Sequence, residues 1–140
     1  MTSAALAALL VTGCSTTSSA TAGSADGTDL NASCTGTKTD AGLKITLKLR
    51  PCPVKGGGAA GTATITVRDS AGKTVHDAKV DINSEMPNMK MKGGDQSAGL
   101  KGDGYQAKLV LGMPGDWLVR VAVTPASGKA SSAEFDVKAE

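Results

Sequence analysis

Aromatic residues are almost missing from this chain of 140: Tyr105, Trp117 and Phe135 are its whole supply. Three rings are too few to build the stacking platforms that single-stranded nucleic acid requires. Charge of one sign is missing too, since 15 Lys and Arg stand against 13 Asp and Glu, for a net charge of +2. With no basic run either, no nucleic acid partner is expected. Histidine occurs once, at His76, so there is no histidine–carboxylate cluster on which to build a catalytic constellation. Asp77, Asp81 and Asp116 have the neighbours of exposed strand and turn positions, and no enzyme is expected. The glycines at 56–58 fall between strand patterns, which reads as a flexible loop and not a phosphate cradle. No convincing helical pattern is present.

What the chain does have is glycine, 18 copies of it, with Val, Thr and Ile dominating the ordered-looking segments. That mixture favours short strands joined by tight turns. Length allows one domain, and 40% hydrophobic with 20% charged residues is the composition of an ordinary folded protein.

The amino terminus points to export. Residues 1–13 read MTSAALAALLVTG, and Val11-Thr12-Gly13-Cys14 resembles the lipobox of bacterial lipoproteins. In that class the signal peptide is removed before the cysteine, which then carries acyl chains. The apolar run is too short to span a bilayer as a helix. After Cys14, a polar Ser/Thr/Ala/Gly stretch without hydrophobic period cannot bury enough surface to offset its ordering, so 14–41 is expected to be a lipidated, flexible tether. The mature protein would be anchored to a bacterial membrane through lipid, on the periplasmic side or the outer face of the cell membrane. In such a compartment Cys34 and Cys52 form an even pair for which a disulfide is expected, with a thiolate metal pair as the rival. A bridge would mainly restrain the unfolded chain and pin the tether to the domain.

From residue 42 to 140 apolar and polar residues alternate in bursts. Leu43, Ile45, Leu47 and Leu49 set a period of two, repeated at Ala63, Ile65 and Val67, and again at Ala78, Val80 and Ile82. Further runs are Tyr105, Ala107, Leu109 and Leu111; Trp117, Val119, Val121 and Val123; and Ala133, Phe135 and Val137. Turn chemistry separates them at 69–73, 103–104, 113–116 and 126–129. Each strand then has one buried and one solvated face, which predicts an all-β fold: an antiparallel, immunoglobulin-like β-sandwich of about seven strands. Trp117 is expected to pack at its centre.

Several short motifs occur in order along these strands. Asp69, Gly72 and Val75 make D-x-x-G-x-x-V; Met86, Pro87 and Met89 make a Met-Pro-x-Met strand end; Gly104 and Tyr105 open a later strand; Met113, Gly115 and Trp117 make M-x-G-x-W. Over roughly residues 43–124 this series resembles the YtkA-like domain family, related to the FixH proteins. The resemblance implies an immunoglobulin-like sandwich on the exported side of a bacterial membrane, linked to copper handling. Its implied partners are a copper-transport or oxidase-assembly protein.

The methionines carry the candidate chemistry. The chain has five, and Met86, Met89 and Met91 lie within six positions. Thioethers are soft, uncharged donors that select Cu(I) over hard cations and need no deprotonation. Met113 from a facing turn and His76 are the candidate additions, which makes copper, as Cu(I) before Cu(II), the expected cofactor. If residues 88–92 are extended, Met89 and Met91 share a face and Lys90 and Lys92 point away. The competing reading is structural: methionine is a pliable filler, and Met86-Pro87 and Met113-Pro114 would close the end of the core beside Trp117. Two functions follow, a lipid-anchored copper-binding domain or a non-catalytic interaction module of an envelope lipoprotein.

Overall fold

The structure, a computed structural model, describes residues 28–140. The expected signal peptide, the expected lipidation at Cys14 and residues 14–27 of the expected tether lie outside the described residues. Nine strands follow one another: β1 (Thr28–Asp29), β2 (Thr35–Asp40), β3 (Leu43–Arg50), β4 (Ala60–Arg68), β5 (Lys79–Met86), β6 (Met91–Lys101), β7 (Gly104–Val110), β8 (Gly115–Thr124) and β9 (Ser131–Ala139). The single helical element among the described residues is a 3-10 turn, Pro87–Met89, between β5 and β6. No helix among them is long and apolar enough to cross a membrane.

The strands form one sheet in the order β1-β9-β8-β5-β6-β7-β4-β3-β2, antiparallel throughout except for the parallel β1–β9 pair. Its two ends meet, because β2 folds back against β9 and β1. The expected sandwich of about seven strands is therefore a nearly closed sheet of nine. The strand that joins its halves is β6: its first part pairs with β5, and residues 99–101 pair with β7. The expected alternation fills the interior. Ile45, Leu47, Ile65, Val119, Val121 and Phe135 are completely buried, and their sequence neighbours, apart from the buried Leu118, are exposed or half-buried.

The expected domain start at 42 moves back to 28. Residues 35–40 pair in full register with β3, although TGTKTD has no apolar alternation. Threonine is β-branched and suits a pleated edge strand without being hydrophobic. Gly36 lets β2 close over the core, since a Cβ there would stand 2.8 Å from Leu30 and 2.9 Å from Phe135. The disulfide Cys34–Cys52 closes the same region. The loop at 56–58 is likewise not free: Gly56 N–H donates to Glu140 O at 2.8 Å, and Gly58 N–H to Leu111 O at 2.9 Å.

The D-x-x-G turn has a direct physical reason. Asp69 Oδ1 accepts from the backbone N–H of Ala71 and Lys73 at 3.0 and 2.9 Å, and Gly72 takes a left-handed φ of 81°. This turn feeds a loop clasped by Tyr105. Its hydroxyl donates to Val75 O at 3.0 Å and accepts from Ala78 N–H at 3.1 Å.

Candidate functional site

On β5 the inward positions are Val80, Ile82, Ser84 and Met86, so the period of two carries Met86 into the core, where it is 5% exposed. Glu85 pairs with Leu118 on β8, and one further step brings Met86 alongside Trp117 on the inner face. On the other side Met86 is the cross-strand partner of Met91. Directly opposed residues of this kind have Cβ atoms roughly 5 Å apart. Met91 and Met113 are half-buried and pack against the same core.

The segment between Met86 and Met91 is not extended as expected. Pro87 starts a 3-10 turn with its φ already set, and Lys90 ends it in the left-handed region at φ 51°. Met86 is the extended N-cap of this turn, at φ −101° and ψ 100°, and Met89 is its last residue. Met86 thus meets Met91 through the ladder, and Met89 follows it by three residues along the turn. Met89 is the outlier in burial, at 56% exposed. Lys90 and Lys92 are exposed, away from the inner face.

The second Met-Pro turn closes this end. Trp117 Nε1–H donates to Met113 O at 3.0 Å. Gly115 has φ 137°, and a Cβ on it would lie 2.6 Å from the Met86 methyl, so conformation and space both demand glycine. Gly56 packs on the Met113–Pro114 peptide so closely that its Cβ would be 2.5 Å away. These contacts give M-x-G-x-W its geometry: a carbonyl for the indole, a bare backbone for the methionine methyl, and the ring beside it.

His76 is not brought to this end. It precedes β5, with Asp103 at 4.0 Å, whereas Met86 closes the strand eight residues long, roughly 25 Å away. The two ends of one strand cannot share an ion. Among the described residues no group of three His, Cys, Asp or Glu side chains is placed to hold a metal. The charged groups of β5 and β8 lie on the outer face. There Arg120 bonds Glu134 at 2.7 Å, and Asp81 accepts from Ser97 at 2.6 Å. The Ser97 hydroxyl first, with Lys79 helping, holds the Asp81 carboxyl below its ordinary value against the opposing effect of burial.

Two residues of the site have no motif signature. Ser84 Oγ is a buried oxygen with no hydrogen-bond partner among the described residues. Above it Gly93 is the extra residue of a β-bulge, skipped between the pairs Ser84–Gly94 and Glu85–Lys92. A Cβ on Gly93 would overlap Ser84 Oγ and stand 3.2 Å from the Trp117 ring. Only the phase of β5 hinted at Ser84, and the bulge had no signal beyond the Gly93-Gly94 pair. Beside the turn a groove of about 1020 Å³ opens, with Pro87 and Asn88 on one wall and Leu118 and the Cys34–Cys52 bridge among its lining.

Chemically, this end of the core offers uncharged sulfur donors. Met86, Met91 and Met113 pack at one end of the core, with Met89, Lys90 and Lys92 exposed. Hard cations would find no carboxylate there on the inner face, whereas Cu(I) needs none.

The model of the YtkA-like family matches residues 37–122. No curated protein matches the chain. Among solved structures, FetP of uropathogenic E. coli strain F11, produced in the periplasm of E. coli BL21(DE3), is similar at 12% identity and a TM-score of 0.49, over 75% of this chain and 95% of its own.

Proposed function

The chain belongs to the YtkA-like family, whose model spans more than half of it, and on that premise we propose that it is an exported domain that binds Cu(I) through methionine. The observation that carries this reading is the cross-strand pairing of Met86 with Met91, with Met89 two positions before Met91 at the end of the 3-10 turn. Met113 is the fourth candidate donor. His76 drops out of the ligand set because it stands at the far end of β5. An immunoglobulin-like packing of two sheet halves would present this end to solvent and leave the other to the turns. The Cys34–Cys52 disulfide supports an oxidising, exported compartment. Anchoring through a lipid on Cys14 fits the same picture, with a copper-transport or oxidase-assembly protein as partner.

Titration of the purified protein with Cu(I) under reducing conditions tests the site. Uptake of one ion per chain is expected. The pair Met86→Leu and Met91→Leu, which conserves volume, should weaken binding by roughly a hundredfold or about 2.7 kcal/mol. Unchanged affinity in that variant would sink the proposal.

One observation favours a second reading. Met86 is nearly fully buried against Gly115 and Trp117, as a core plug would be. In that case the domain is a non-catalytic interaction module, and no Cu(I) is taken up.

A further inference from the structure

One short stretch of β9 keeps an open edge. On that side its pairing with β1 stops at Asp29 and Asp136. Further along, Glu140 N–H donates to Val54 O, and Gly56 N–H donates to Glu140 O, both at 2.8 Å. Backbone groups along a strand point to alternate edges, so Asp136, Lys138 and Glu140 face this side together. The β8–β9 register runs unbroken from Ser131 to Ala139, so the alternation holds at Lys138. Asp136 has β1 and Glu140 has the loop at 54–56. Between them, the N–H and C=O of Lys138 have no backbone partner among the described residues. Leu30 and Val54, on either side of this gap, line the groove of about 1020 Å³, as Lys138 does. The gap is thus one end of that groove.

Length and charge decide what fits it. From Asp136 to Glu140 the edge spans about 13 Å, closed by β1 at one end and by the loop at the other. A strand running straight along β9 would collide with one of them. A chain end needs room on one side only, and the groove supplies it towards Pro87 and Asn88. Asp29, Asp116, Asp136 and Glu140 line the groove against Lys138 alone. Lys55, 3.1 Å from Glu140, offsets one more charge. Asp29 and Asp116 have no ion pair among the described residues. This excess repels a carboxyl terminus and attracts an ammonium. We infer that the groove captures the free amino terminus of a partner polypeptide, whose first residues pair with the Lys138 backbone while the ammonium sits among the carboxylates. Leu30, Pro53 and Leu118 in the lining give its side chains apolar contact. No metal takes part, so the inference stands apart from the Cu(I) reading.

The test is calorimetric titration of the metal-free protein with an amidated pentapeptide of valine and threonine, once with a free amino terminus and once acetylated. The free form should bind at least about tenfold more tightly, and less tightly as salt rises. Asp116→Asn, on the exposed rim, should weaken it about threefold. Lys138→Pro removes the unpaired N–H at an edge position, where proline is tolerated. It should bind about fivefold more weakly than Lys138→Ala, with circular dichroism confirming that both variants keep their strands. Equal binding of the acetylated peptide overturns the inference, and decides alone should the proline variant not fold. Equal binding by the two Lys138 variants, or no binding of either peptide at millimolar concentration, overturns it too. So does dimerisation of the protein through this face, which would give the groove to a second copy.

Discussion

The hydroxyl of Ser84 occupies an inward position on β5, between Ile82 and Met86, where an aliphatic side chain would pack as well. A buried hydroxyl without a partner costs its desolvation, about 1–3 kcal/mol. Ser84→Ala is thus expected to raise stability by about 1 kcal/mol in denaturant unfolding. Gly93→Ala should do the opposite, by about 1–3 kcal/mol, because the new methyl meets Ser84 Oγ and the Trp117 ring. Combined with Ser84→Ala the cost should shrink, since the remaining contacts stand at 3.2 and 3.3 Å. A double-mutant cycle with no coupling would show that the two residues do not share this space. At this scale the sequence was partly readable. The phase Val80, Ile82, Ser84, Met86 places Met86 inside without any structure, but neither the bulge at Gly93 nor the exposure of Met89 follows from spacing.

Elements with an apolar period of two were legible: β3, β4, β5, β7, β8 and β9 fall where the alternation puts them. The strands that escaped have other reasons to exist. β2 is held by threonines and by its register with β3, and β6 is mostly half-buried or exposed because it passes from one half of the sheet to the other. Neither needs a hydrophobic face of its own. The loop before β5 is likewise fixed from outside, by the Tyr105 hydroxyl at the start of β7. Tyr105→Phe keeps the ring and removes both bonds, leaving Val75 O and Ala78 N–H without that partner. A loss of about 1–3 kcal/mol is expected, with faster amide exchange at Ala78. Unchanged exchange there would mean that the loop holds itself.

Across the whole molecule, closure depends on the amino-terminal strands returning to β9. The bridge between Cys34, just before β2, and Cys52, just after β3, secures that return over a separation of 18 residues. Loop-closure entropy for such a span is worth about 3 kcal/mol. The pair Cys34→Ala and Cys52→Ala should lose about that much in urea unfolding while keeping its strand content by circular dichroism. A loss well below about 1 kcal/mol would show that the β2–β3 ladder suffices alone. Within the expected tether, the pairing of residues 35–40 was not legible, since pairing across the closure is a property of distant segments and not of TGTKTD. The placement of Trp117 has one more consequence. It is the chain's one indole, with its N–H on Met113 and its flank against Gly93. Selectively excited, the protein emits from a single fluorophore seated in the methionine end. Its spectrum reads that end alone, and events around His76 leave its emission unchanged.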